Sequence, residues 1–287
     1  MSKQDAIALF TDRTEPQAAF EQAYLAMAGK PAQENSSFVL AYYGMGGIGK
    51  STLLTKLEDN LTADPQLAAC SKGKPLVVNF NFERHQEDIK VLMSLRNMLG
   101  TKYKWKFPRF ELGLYLYSQN IGEDADAPED TGYLEKAGLK PAVEIAGEIP
   151  IFGSIIKAIS ILDQGQAAVR TLMKQHSAMV KEFEELTTQE QKEALPTLFA
   201  TDLNACVQKA KSPLVIMLDT FECVTETSGT QDSLFGRDYW LYGENGLIPT
   251  AKNVLFVIAG ARSAQFSATR PLPRRSSTTA PRCCRVA

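Results

Sequence analysis

The stretch Ser37-Phe38-Val39-Leu40-Ala41-Tyr42-Tyr43-Gly44-Met45-Gly46-Gly47-Ile48-Gly49-Lys50-Ser51-Thr52 decides the fold. Its first seven residues are a short, mostly apolar run of strand formers, which suits a strand buried on both faces. Glycines end the run, and Leu53, Leu54, Leu57 and Leu61 then lay one apolar stripe along a helix predicted to begin near Lys50. Gly44 to Ser51, between strand and helix, fits the pattern G-x-x-x-x-G-K-[ST]. These residue types suit an anion: glycines permit a tight turn of inward-pointing backbone N–H groups, and the following helix adds the positive end of its dipole. In such a loop Lys50 is expected to reach the β- and γ-phosphates and the Ser51 hydroxyl to ligate Mg2+. Gly44, Met45, Gly46, Gly47, Ile48, Gly49, Lys50, Ser51 and Thr52 are therefore the candidate nucleotide-binding residues.

Outward from the loop, Leu76–Phe82, Leu214–Leu218 and Val254–Ala259 are further apolar runs of strand length separated by helical patterning, the signature of a parallel α/β sheet. Upstream, Thr14-Glu15-Pro16-Gln17 has the spacing of a capping box, and Phe20, Tyr24 and Met27 follow at helical intervals, which predicts a first helix up to Gly29. The long interval between the second and third strands predicts a helix over Ile89–Leu99 and about three helical segments between Pro141 and Ala210, read as a helical insertion over about 100–211. Residues 1–269 are thus expected to form one nucleotide-binding domain of α/β class, a three-layer sandwich on a parallel sheet of about four strands.

Asp219 ends the third strand run, where a carboxylate can hold the hydration shell of Mg2+ or serve as a plain turn residue. Glu222 follows in Asp-Thr-Phe-Glu, as a base that orients or deprotonates the attacking water or as an exposed surface acid. Arg262, just past the last strand run, can sense the γ-phosphate or pair with a surface carboxylate.

The runs GMGGIGKST, LVIMLDTFE and VLFVIAGAR, with Phe10-Thr11-Asp12-Arg13 before the first helix, resemble the nucleotide-binding domain of STAND-class signalling ATPases, AAA-like relatives that include the NB-ARC and NACHT modules; the Asp-Thr-Phe-Glu variant looks like their bacterial members. The resemblance covers about Phe10 to Arg262. It implies that the Arg262 strand lies between the loop strand and the Asp219 strand, and that backbone around Thr11 to Arg13 contacts the adenine. It also implies ATP/ADP with Mg2+ as ligand and a nucleotide-controlled switch for signalling or defence. ATP over GTP comes from the resemblance, and no N-K-x-D motif follows the Asp219 strand. Met45 stands where the deviant phosphate loops of partitioning ATPases carry a signature Lys, which disfavours that class. Family members continue into a fifth strand, a helical lid, a winged helix and sensor repeats, and no such pattern follows Arg262 here. Two other readings stay open: an AAA-like ATP-driven loader or remodeller, and a nucleotide-binding adaptor fragment that hydrolyses nothing.

Composition bounds the remaining classes. The 287 residues are 44% hydrophobic and 22% charged with a formal net charge of −2, and the five Arg beyond residue 269 meet no acid, so the body is acidic and residues 270–287 are basic. Bulk charge therefore argues against nucleic acid as a partner. Lys102-Tyr103-Lys104-Trp105-Lys106-Phe107, with Arg109 and Phe110, alternates as an edge element with one buried face does, and as a single-strand stacking surface also does; the acidic body favours the first. The acids from Glu123 to Asp130 lack EF-hand spacing and read as a solvated loop. Five Cys without a CxxC pair and two His leave no zinc site or disulfide framework and fit a reducing, cytoplasmic setting; MSKQDAIALF reads as no secretory signal. The apolar stretch Val143–Leu162 is broken by Glu144, Glu148, Pro150, Gly153 and Lys157, so no membrane contact is expected. Self-association or protein partners are expected through the helical insertion. The Pro- and Arg-rich residues 270–287 are expected to be disordered, as a frame-shifted or truncated end would be, leaving the fifth sheet position open.

Overall fold

The computed structural model of the chain describes residues 13–28, 37–71, 74–83, 87–123, 166–225, 238–261 and 282–285. In chain order the first elements are α1 (Thr14–Ala28), β1 (Phe38–Tyr43), α2 (Lys50–Ala63), α3 (Pro65–Cys70) and β2 (Leu76–Asn81). Helices α4 (Asp88–Tyr103), α5 (Pro108–Glu123), α6 (Gln166–Gln175), α7 (Ser177–Glu184) and α8 (Thr188–Ala210) follow. The chain then forms β3 (Leu214–Asp219), the one-turn helices α9 (Glu222–Thr225), α10 (Tyr239–Tyr242) and α11 (Leu247–Thr250), β4 (Val254–Gly260) and β5 (Arg282–Arg285). Two units divide these elements: Met1–Glu87 with Asn204–Tyr239 and Ile248–Ala287, and Asp88–Leu203 with Trp240–Leu247. The second unit starts before the expected insertion of about 100–211 and takes in a stretch near Trp240 that no sequence signal marks.

The first unit is α/β, with all strand pairs parallel in the order β2-β3-β4-β1-β5. Every residue of β3 and β4 is buried, as their unbroken apolar runs require of central strands. Alternation puts Leu40 and Tyr42 of β1, Val215 and Met217 of β3, and Leu255 and Val257 of β4 into one core, which Phe20, Tyr24 and Met27 of α1 and the Leu53, Leu54, Leu57 and Leu61 stripe of α2 close. Each fully buried leucine of that stripe contributes roughly 1.5–3 kcal/mol. The expected capping box does not form: α1 begins at Thr14, one residue after Arg13, and the Arg13 carbonyl takes both the Gln17 N–H at 3.4 Å and the Gln17 side-chain amide at 3.0 Å.

The open fifth position is a correction. Arg282, Cys283, Cys284 and Arg285 pair in parallel with Leu40, Ala41, Tyr42 and Tyr43. An edge strand is recognised by its main-chain N–H and C=O groups, so a segment without apolar periodicity can still fill the place beside β1. The rest of the expected disordered tail, with the acidic loop after Glu123 and the Val143–Leu162 stretch, lies outside the described residues. No helix among the described residues is long and apolar enough to cross a membrane.

The second unit is helical. Lys102–Phe110 is not an edge strand but the junction of two helices: Lys104, at φ 59°, ends α4, and Pro108 opens α5. Its period-two pattern persists because Lys102, Lys104 and Lys106 are exposed while Phe107 and Phe110 are buried against the Phe199 ring, with centroids 4.9 and 5.3 Å away. Gly113 lets α5 come close to α8, since a Cβ there would run into the Leu198 side chain. Thr187 and Glu190 form a capping box at the start of α8, the Thr187 N–H donating to Glu190 Oε2 at 2.9 Å and the Glu190 N–H to Thr187 Oγ1 at 3.3 Å.

Candidate functional site

The loop grows directly out of the sheet. Tyr43 is level with Gly260 of β4, the Gly44 N–H donates to the Gly260 carbonyl at 3.3 Å, and the chain then leaves the ladder. Gly47 at φ 80° and Gly49 at φ 87° take left-handed conformations that L side chains rarely adopt. Gly49 is the N-cap of α2, with no side chain to satisfy the helix's first amides, and its carbonyl takes the Leu53 N–H at 2.9 Å. Gly46 is different: its backbone is not left-handed, and an added Cβ would meet nothing within 4 Å. Neither conformation nor packing among the described residues calls for glycine there.

Lys50 is only 8% exposed, and its ammonium curls back over the loop, donating to the carbonyls of Gly44 at 2.9 Å and Met45 at 3.0 Å. From the start of α1 the Arg13 guanidinium donates from Nη2 to the Ile48 carbonyl. Met45, Gly46, Gly47 and Ser51 are exposed, and Thr52 is half-buried. Two cations and the N-terminus of α2 thus surround one turn of exposed backbone.

The carboxylates stand at the same edge of the sheet. Ala41 of β1 and Leu218 of β3 are both level with Ile258 of β4, so the three strands end together at the loop side. β4 separates β1 from β3, as the resemblance implies, and two strand spacings are about 10 Å. Asp219 is 6% exposed and accepts the Thr220 N–H on Oδ1 at 2.9 Å, closing a turn in which Thr220 is left-handed at φ 58°. The Phe221 N–H then reaches the Ala259 carbonyl at 2.9 Å, and Glu222 Oε2 accepts the Ala261 N–H at 2.9 Å. Both bonds tie the segment after β3 to the end of β4. Arg262, Thr11 and Asp12 lie outside the described residues.

The fold therefore gathers the loop residues, the Arg13 side chain, Asp219 and Glu222 at the C-terminal edge of the sheet, where ligands of open parallel sheets bind. Among the described residues no three His, Cys, Asp or Glu side chains cluster as a metal site. The Ser51 hydroxyl and the Asp219 carboxylate are hard oxygen donors, the kind of group that Mg2+ takes. Sequence reasoning missed two contacts: the Arg13 side chain on the loop and the Ala261 amide on Glu222. Each joins residues more than thirty positions apart. Compared with known proteins, the chain matches no family model, and no curated protein or solved structure is significantly similar to it.

Proposed function

We propose that this chain is a Mg-ATP-binding P-loop NTPase domain of STAND type, in which the bound nucleotide controls a conformational switch in signalling or defence. The observation that carries the reading is the turn from β1 to α2, with Gly47 and Gly49 left-handed and the Lys50 ammonium folded onto its carbonyls. In this reading the exposed amides of Gly46 and Gly47 and the first turn of α2 bind phosphate oxygens, and Lys50 turns from loop carbonyls to the β- and γ-phosphates. Ser51 and Asp219 would hold Mg2+, which would supply positive charge against the phosphate oxygens. Adenine as the base and the STAND class rest on the sequence resemblance.

Gly46 gives the sharpest test. Alanine there has room and an ordinary backbone conformation, so Gly46→Ala should leave the unliganded melting temperature unchanged or slightly raised, by up to about 1 kcal/mol in stability. Its methyl group would occupy the space a phosphate must approach, so calorimetry should find Mg-ATP affinity lowered about ten-fold or more. Unchanged affinity would remove the loop from the binding site.

A second reading, an adaptor that binds nucleotide and hydrolyses nothing, is favoured by one contact: Glu222 already holds the Ala261 amide. Glu222→Gln separates the two. Glutamine can still accept that N–H through its carbonyl oxygen but cannot take a proton from water. In the switch reading the variant binds Mg-ATP as the parent does and releases phosphate at least about ten-fold more slowly. Equal release from parent and variant would show that Glu222 is a clamp and not a base.

A further inference from the structure

The guanidinium of Arg13 crosses 35 positions of sequence to donate to the carbonyl of Ile48, in the middle of the glycine loop. A trans peptide is planar, with its C=O and N–H pointing in opposite directions, and every described peptide bond of this chain is trans. The Ile48 carbonyl and the Gly49 N–H belong to one such plane. Holding the carbonyl toward Arg13 therefore turns the Gly49 N–H the other way, away from α1. We infer that Arg13 is a positioning residue that aims the Gly49 amide of the loop at its anion, rather than a residue that reads the base. The inference rests on the proposed phosphate-binding role of the loop and names the part of the chain that orders it.

The arm from which Arg13 reaches is itself fixed. The buried Tyr42 hydroxyl of β1 donates to the Pro16 carbonyl at 2.7 Å. Gln17 donates to the Arg13 carbonyl at 3.0 Å and accepts from Asn60 of α2 at 3.2 Å. The first turn of α1 is thus bonded to the strand that enters the loop and to the helix that leaves it. This frame suits a glycine-rich turn, which gains much backbone freedom when nothing outside it restrains its peptide planes. Arg13 supplies that restraint at Ile48, while Lys50 supplies it at Gly44 and Met45. When Lys50 turns to a phosphate, the Arg13 bond still holds the Ile48 carbonyl.

The test compares the full chain with Arg13→Ala, Arg13→Lys and Tyr42→Phe. Hydrogen exchange of the unliganded proteins, followed by mass spectrometry over residues 44–57, reads the loop without any ligand. Arg13→Ala should raise exchange there about ten-fold and lower Mg-ATP affinity by a similar factor, the size expected for losing a hydrogen bond to a charged group. Millimolar guanidinium should restore part of both in Arg13→Ala and do nothing in Lys50→Ala, a rescue that a general loss of folding does not produce. Arg13→Lys should fall between parent and alanine. Tyr42→Phe, which frees the arm and keeps Arg13, should raise loop exchange in the same direction. If the parent binds no ATP while the exchange contrast holds, the nucleotide reading fails and the brace stands. If the parent binds ATP and Arg13→Ala matches it in loop exchange and affinity, the brace is overturned. An Arg13→Ala protein that unfolds and is not rescued by guanidinium, with Tyr42→Phe exchanging like the parent, also overturns it.

Discussion

Lys50→Ala lowers Mg-ATP affinity by about ten- to a hundred-fold, the equivalent of the 1.5–3 kcal/mol carried by a hydrogen bond to a charged group. Calorimetry well below the melting temperature is the measurement that checks it. The structure adds a second expected effect that an exposed lysine would not give. Lys50 is 8% exposed and holds two loop carbonyls, so the alanine variant loses those bonds before any ligand arrives. Its unliganded stability should fall by about 1–3 kcal/mol. Lys50→Met keeps the apolar stem and separates the two effects: it should recover most of the stability lost to missing packing and none of the affinity. Parent-like affinity in either variant would sink the assignment of the loop.

The β1–loop–α2 unit was legible because three independent signals coincide there: a strand-forming run, glycines in the turn and a leucine stripe at helical spacing. The strands β3 and β4 were legible as continuous apolar runs. Their order was not in the residues themselves; it came with the resemblance, since periodicity says which face is buried and nothing about which neighbour lies alongside. Local pattern misled at Lys102–Phe110, because alternation of base and aromatic is produced equally by a strand and by a helix junction. A left-handed Lys104 decides between them, and no sequence signal marks it. β5 escaped notice because strand pairing at a sheet edge is made by main-chain groups, which every residue carries. The site was legible where it is local, as in Gly44 to Ser51, and illegible where it depends on two distant segments meeting. Arg13 with Ile48 and Glu222 with Ala261 are of the second kind.

Asp202→Ala should destabilise the helical unit by about 2–4 kcal/mol, because it removes an acceptor that α5 cannot replace. Phe107 precedes α5 and has no polar side chain, so the amides of the first turn look elsewhere. Asp202, in α8, takes the N–H groups of Arg109 and Phe110 on Oδ2 at 2.8 and 3.0 Å and the Arg109 guanidinium on Oδ1 at 3.1 Å. Its side chain is 2% exposed. Burial pushes the Asp202 carboxyl up to about 6, against the opposing pull of the Phe110 and Arg109 donors. A carboxyl raised in this way binds its proton more readily folded than unfolded. Its contribution is therefore greatest below the ordinary carboxylate value of 3.8 and is lost as pH rises through about 6. His176, lowered by burial and by Arg109, contributes in the opposite sense, so the Asp202 part must be taken as a difference between variants. Asp202→Asn provides it: one carbonyl oxygen can still accept both backbone N–H groups, since both converge on a single oxygen in the parent, while the titration is gone. Asparagine should lose less stability than alanine. Between about pH 4 and 6 the parent should also lose stability that the Asn variant keeps. The two tryptophans of the chain, Trp105 and Trp240, both belong to the helical unit, so urea unfolding followed by their fluorescence reads this unit alone. Parallel pH profiles for parent and Asp202→Asn would show that the carboxylate, despite its burial, titrates in the folded chain as it does in the unfolded one.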